Sequence, residues 1–210
     1  MANKSHLYEY HMRHGKITDF AGFDMPLWYT SIIDEHMAVR NAAGLFDVSH
    51  MGRVEIEGEG ASDYLEYILP SSVKTVENGR AFYSVMCKED GGILDDVVTD
   101  KLSPSSYIMV VNAANREKDL EWLNKKSHEF NIKISDQSNT SSLVALQGPR
   151  SKEILQKLCD IDLSKLKRFR FLECKVNGDD CLVSRTGYTG EDGYEILLRD
   201  SPLDNPTRTV

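Results

Sequence analysis

GGILDDVVTDKLSPSSYIMVVNAAN, residues 91–115, holds two β-branched runs, Ile93–Thr99 and Tyr107–Val111, on either side of the polar turn Ser103-Pro104-Ser105-Ser106. Short apolar or alternating runs bounded by Gly, Pro and Ser are the pattern of strands, and this pair reads as a hairpin. Working outward, another such run covers Ala81–Cys87, and further back Val54 and Ile56 alternate with charged residues. Between those two, Ala61, Leu65, Ile68 and Leu69 change to helical spacing until Pro70. Downstream, Asn115 is a suitable N-cap for a helix running through Leu120 and Leu123 to about His128, after which Ile132 and Ile134 begin a strand. Residues 52–135 therefore read strand, helix, three strands, helix, strand. That order predicts a split β-α-β arrangement, with helices on one face of a largely antiparallel sheet.

The flanking sequence needs a second sheet. The segment DQSNTSS (Asp136–Ser142) is loop-like. It is followed by a strand at Leu143–Leu146, a helix from about Arg150 to Leu158, and strands near Phe171–Val176, Cys181–Arg185 and Tyr194–Leu198. Upstream, Ile33, Met37 and Val39 with Ala42 and Ala43 predict a short helix stopped by Gly44. The tail Asp200–Val210 carries two prolines and little periodicity, so it is expected to add no core. The fold class is α+β with two lobes: a ferredoxin-like lobe over 52–136, and a discontinuous one made of 1–51 plus 137–210.

Composition narrows the function. The 210 residues carry 25 Lys+Arg against 33 Asp+Glu, a net charge of −8, with no dense basic run to displace phosphate counterions. Nucleic acid is excluded as the main partner. No stretch reaches the roughly 18 to 20 apolar residues of a membrane span, and MANKSHLYEYHMRHG lacks the apolar core of a signal peptide. The expectation is a cytoplasmic protein without membrane contact. Cys87, Cys159, Cys174 and Cys181 form no C-x-x-C pair and have no His or Cys at metal-ligand spacing, so reduced thiols and no metal are expected. A Cys174–Cys181 disulfide requires strands 171–176 and 181–186 to form a hairpin, and a reducing compartment disfavours it.

Three places concentrate polar chemistry. In GGILDDVVTD, period two sends Asp95 and Asp96 to opposite faces, so one carboxylate shares the buried side and needs donors or a cation there. Parity alone does not choose between them. In RTGYTGEDGYE (Arg185–Glu195), three glycines allow tight turns around Tyr188, and Glu195 opens a strand from which it can point at a ligand. The acids there, and the absence of G-x-x-x-x-G-K, exclude a phosphate loop. In FDVSHMG, His50 is a lone histidine, and neither G-x-S-x-G nor a reactive-cysteine context supports a hydrolase.

Six phrases then coincide in order. DFAGFDMPLWY (Asp19–Tyr29), LFDVSHMG (Leu45–Gly52), GGILDDVVTD (Gly91–Asp100), VVNAAN (Val110–Asn115), ALQGP (Ala145–Pro149) and RTGYTGEDGYE together resemble the aminomethyltransferase, or T-protein, family of the glycine cleavage system. The resemblance spans about Leu7 to Leu198. Related iron–sulfur-associated folate proteins carry K-G-C-Y-x-G-Q-E where this chain has GYTGEDGYE, and match less well.

The resemblance implies a three-lobed, folate-binding molecule. It implies transfer of the aminomethyl group from the lipoyl arm of H-protein to tetrahydrofolate, a co-substrate, with release of ammonia and formation of 5,10-methylenetetrahydrofolate. It also implies that Asp96 is the catalytic aspartate, that Glu195 holds the pterin ring, that Met51, Tyr83, Asn112 and Tyr188 line the folate pocket, and that His50 is structural. On this reading a buried carboxylate at 96 faces the charge that develops as ammonia leaves, and the two acids share one cavity. Members of the family are considerably longer, so a third lobe is expected to be missing and the exposed remainder to favour self-association. Two other readings stay open: a non-catalytic folate-binding module, and a folate-dependent demethylase acting on small methylated compounds.

Overall fold

A computed structural model of the chain describes residues 2–199. These fall into two units, one formed by Met51–Ser138 and the other by residues 2–50 with 139–199. The tail Asp200–Val210, expected to add no core, lies outside the described residues.

The Met51–Ser138 unit contains β4 (Gly52–Glu57), α3 (Ala61–Ile68), β5 (Arg80–Cys87), β6 (Ile93–Ser103), β7 (Ser106–Val111), α4 (Arg116–Lys126) and β8 (Lys133–Asp136). Its five strands lie in the order β5-β6-β7-β4-β8, and every neighbouring pair is antiparallel. Strands β6, β7, β4 and β8 form the split β-α-β arrangement, and β5 extends its edge. Period two divides each strand between two faces. Val54 and Ile56, Met86, Val97, Met109 and Val111 turn inward onto Tyr64, Leu65 and Ile68 of α3 and Leu123 of α4. The Tyr64 hydroxyl donates to the Leu123 carbonyl at 2.7 Å and joins the two helices. Helix α3 stops because Pro70 holds Leu69 extended, at φ −117° and ψ 135°.

The other unit contains α1 (Tyr8–His14), β1 (Lys16–Phe20), β2 (Phe23–Trp28), α2 (Ile32–Asn41), β3 (Gly44–Asp47), β9 (Ser142–Gln147), α5 (Ser151–Gln156), β10 (Phe171–Val176), β11 (Asp179–Ser184) and β12 (Gly193–Leu198). Strands β1 and β2 pair alone, and the second sheet runs β10-β11-β12-β9-β3, again antiparallel. Its core gathers Val144, Leu146, Val183, Tyr194, Ile196 and Leu198 against Leu155 of α5 and against Leu163 and Leu166 at the two ends of a 3-10 turn.

The structure corrects several expectations. Helix α2 ends at Asn41 with Ala42 as its cap, and Gly44 opens β3 instead of stopping the helix. Glycine is needed at 44 for space, since a Cβ there would lie 2.6 Å from Val39 Cγ2. On α2 only Val39 is buried; Ile33 is 74% exposed. Strands β10 and β11 do form the hairpin that aligns Cys174 with Cys181, and both thiols are free. No helix of the described residues is long and apolar enough to cross a membrane.

Candidate functional site

Asp95 and Asp96 separate as period two requires. Asp95 joins Val97 on the helix-covered face of β6 and is 5% exposed. It accepts the Asn112 backbone N–H at 2.9 Å, the Asn112 side-chain amide at 3.0 Å and the Asn115 amide at 2.5 Å. Burial pushes its carboxyl upward, but the bonds from Asn112 and Asn115 outweigh this and hold it below the usual carboxylate range.

Asp96 lies on the other face and is exposed, which corrects the expectation of a buried carboxylate at 96. Its neighbours on that face are Val85, its partner on β5, and Tyr83, which pairs with Val98 two residues along β6. Tyr83 is itself largely exposed. From the end of β7, the half-buried Asn112 donates its amide to the Asp96 carboxylate at 3.2 Å and to the Asp96 carbonyl at 3.1 Å. Met51, also half-buried, directly precedes β4, whose Gly52 pairs with Val111 beside Asn112. One sheet thus brings Tyr83, Asp96 and Asn112 to one face, with Met51 at the same end.

Asn115, expected as an N-cap, makes no capping bond. Its side chain is occupied by Asp95 and by Lys118, whose Nζ donates to Asn115 Oδ1 at 2.9 Å.

Glu195 and Tyr188 belong to the other unit. On β12, Tyr194 and Ile196 enter the core while Glu195 takes the opposite face, between Ser184 of β11 and Ala145 of β9. Burial raises the Glu195 carboxyl above its ordinary range, partly countered by the Thr186 hydroxyl, which donates to it. The loop before β12 is tied from several sides. Arg185 clasps Asp192 through two bonds, of 2.9 and 2.6 Å, and Arg40 meets Glu191 at 2.8 Å. The acids of GEDG are therefore matched by guanidinium groups. Gln147, buried beneath the loop, donates to the Thr186 and Tyr194 carbonyls and accepts from the Thr189 hydroxyl at 3.0 Å. Tyr188, in the same loop, is fully exposed. His50 sits edge-on to Phe20, with ring centroids 5.3 Å apart.

The family described as the GCVT N-terminal domain matches residues 7–205. The chain belongs to that family. An aminomethyltransferase of Thermotoga sp. (strain RQ2) is 47% identical over 199 residues, which cover 93% of this chain and 55% of the relative. One from Alkaliphilus oremlandii is 44% identical over 200 residues, covering 94% and 54%. The glycine cleavage system aminomethyltransferase T from Bartonella henselae superposes with a TM-score of 0.88 at 35% identity, over 97% of this chain and 54% of that one. This GCVT N-terminal domain spans about half the length of the curated relatives it matches.

Sequence reasoning missed three residues that organise the domain's polar sites: Gln147, Asp95 as the inward acid, and Asp119 behind it. Gln147 stood in the quoted ALQGP phrase, and Gly187 and Gly193 leave room for it. Asp119, on the first turn of α4, looked like an ordinary acid at a helix N-terminus. Among the described residues no cluster of three or more His, Cys, Asp or Glu side chains has the geometry to hold a metal ion.

Proposed function

We propose that the chain acts in the cytoplasm as a tetrahydrofolate-dependent aminomethyltransferase of glycine cleavage. It takes the aminomethyl group from the lipoyl arm of H-protein, releases ammonia, and leaves the carbon as 5,10-methylenetetrahydrofolate. The observation that carries this reading is the Asp96 carboxylate, turned out from an antiparallel sheet and oriented by Asn112 beside Tyr83.

The chemistry fits an acid in that state. One folate nitrogen bonds to the methylene carbon as its bond to the ammonium nitrogen breaks; the second folate nitrogen then displaces the sulfur, which leaves as a thiol. Of the two folate N–H protons, one passes to ammonia and one to sulfur. Cationic character develops at the carbon as ammonia leaves, and the Asp96 carboxylate stabilises it while accepting from a folate N–H. Holding the two substrates in line contributes at least as much as the acid itself.

Glu195 supports the folate half of the reading. The pterin edge offers a ring N–H and an amino group side by side, two parallel donors that one carboxylate accepts together. A half-buried acid that, among the described residues, takes a side-chain bond from Thr186 alone has acceptor capacity left for such a pair. Tyr83, Met51, Asn112 and Tyr188 complete the proposed folate contacts.

Titration with tetrahydrofolate, followed by an ammonia assay with aminomethylated H-protein, tests the proposal. Binding with release supports it. Binding without release makes the chain a folate-binding module, and transfer of methyl groups from small methylated compounds to tetrahydrofolate without H-protein makes it a demethylase.

A further inference from the structure

Behind the outward carboxylate of Asp96 lies a second acid that the proposed reaction does not use. Asp119 is completely buried on the first turn of α4. Among the described residues neither of its carboxyl oxygens has a hydrogen-bond donor, although the side chain is close enough to Asp95 for the two carboxyls to interact directly. Asp95 meanwhile holds donors from Asn112 and Asn115 on its own oxygens. An ionised carboxylate without donors, out of water and against a second carboxylate, is strongly disfavoured. The proton therefore belongs on Asp119, where it supplies the one donor the pair lacks.

The electrostatics agree with the geometry. Burial, then hydrogen bonding with the Asp95 carboxyl, then that carboxyl's charge, push Asp119 up to about 8. From β6 the titratable group facing it is Asp95. The segment between β7 and α4 contributes the neutral amides of Asn112 and Asn115. Its own helix contributes Lys118, which opposes the shift and is engaged by the Leu94 carbonyl at 2.7 Å and by Asn115.

The Asn112 amide is the link outward. It donates both to Asp95 at 3.0 Å and to Asp96 at 3.2 Å. We infer that Asp119 is a positioning residue for aminomethyl transfer: its proton, donated to Asp95, fixes the Asn112 amide and through it the direction of the Asp96 carboxylate. The inference rests on the reading of Asp96 given above. When Asp119 ionises, its charge repels Asp95, the Asn112 amide is pulled away, and Asp96 loses its orienting donor.

Carbon-13 and amide NMR of the full chain tests this without any assay. The expected result is an Asp119 carboxyl that titrates above pH 7, with the Asn112 side-chain amide signals moving at the same midpoint. In Asp119→Asn, whose amide donates to Asp95 at every pH, that movement is absent. Titration of Asp119 in the ordinary range near 4, or Asn112 signals that do not move with it, overturns the inference.

The kinetic arm separates positioning from simple structure. Asp119→Ala should lower kcat about tenfold with the KM for tetrahydrofolate unchanged, and Asp119→Asn should restore most of that loss and remove the decline in kcat above about pH 8. Equal loss in both variants, or a rise in KM alone, refutes the positioning role. Failure of the chain to bind tetrahydrofolate refutes the reading of Asp96 instead, and the spectra still decide whether Asp119 governs Asn112.

Discussion

Asp95 and Asp96 are consecutive on β6 and face opposite ways, and a single amide, that of Asn112, bonds both. The inward acid is held by three donated hydrogen bonds from two asparagines, so its charge is matched within the fold. The outward acid is left with room to meet a substrate. One strand thus supplies, from adjacent residues, a buried structural carboxylate and an exposed one, to which the proposed function assigns the chemistry.

The two acids should respond oppositely to neutralisation. Asp96→Asn should leave stability within about 0.5 kcal/mol of the parent, since the residue is exposed. It should cut ammonia release at least about a hundredfold, with folate affinity changed only modestly. Asp95→Asn places an amide against the Asn112 and Asn115 donors and should cost about 2–4 kcal/mol in urea unfolding. Near-parental turnover in Asp96→Asn removes the catalytic role; an unchanged unfolding midpoint in Asp95→Asn removes the structural one.

Glu195→Gln should act on binding before turnover. Replacing one charge-assisted bond by a neutral one loses about 1.5–3 kcal/mol, roughly a ten- to hundredfold rise in the Kd for tetrahydrofolate. Because burial raises the Glu195 carboxyl, folate affinity should fall on acidification at a higher pH than an exposed glutamate would give. The glutamine variant should lack that acid limb. Calorimetric titration over several pH values reads both effects, and identical curves for the two proteins take Glu195 out of the site.

The loop that carries Tyr188 depends on Gln147. Gly187 sits at φ +155°, and a Cβ there would run into the Gln147 side chain. Gly187→Ala should therefore displace Gln147, release its bonds to Thr186, Thr189 and Tyr194, and weaken tetrahydrofolate binding about tenfold. Gly22→Ala is the control: its φ is +79° with nothing within 4 Å, so only the backbone cost of about 1 kcal/mol applies and binding should hold. Equal folate affinities in the two variants would detach Gln147 from the loop's function.

What could be read in advance follows period and punctuation. The strands around Gly91–Asn115 and the helix ending at Pro70 were legible because alternation and a proline act locally. The β1–β2 hairpin was invisible because its two turn residues, Ala21 at φ 53° and Gly22 at φ 79°, include an alanine where Asn or Asp usually signals such a turn. Gly44 misled because its role is to clear space for Val39, a tertiary demand that resembles a helix stop. Asn115 does stand at the N-cap position of α4, but its side chain is drawn to Asp95, distant in sequence, and makes no capping bond. Which acid of the pair faced outward depended on helices covering one side of the sheet, and no local pattern encodes that. The family resemblance chose Asp96 as the reactive acid but carried the wrong burial for it.

The N-terminal helix is held by a polar relay whose pH response can be signed. His11 is buried, with Asp47 Oδ2 at 2.8 Å from Nε2 and the Tyr29 hydroxyl at 2.7 Å from Nδ1. The tautomer that satisfies both carries its proton on Nε2, donating to Asp47 and accepting from Tyr29. Burial pushes the Asp47 carboxyl up, but bonds from His11 and Ser49 outweigh it and hold the group well below the carboxylate range. The unfolded chain thus takes up this proton at a higher pH than the folded one, so stability rises with pH below about 4 and is fully present above it. Asp47→Asn should cost about 3 kcal/mol at pH 7, and the gap to the parent should shrink steadily as the pH falls from 4 toward 2. Tyr29 shows the opposite sign: burial and then Asp47 push its hydroxyl up to about 12, so the folded chain keeps that proton longer and loses stability as the pH climbs from 10. Tyr29→Phe should flatten that alkaline limb and leave the acid one intact. Urea unfolding at a series of pH values measures both, and a constant parent-to-variant gap from pH 2 to 7 for Asp47→Asn would contradict the relay.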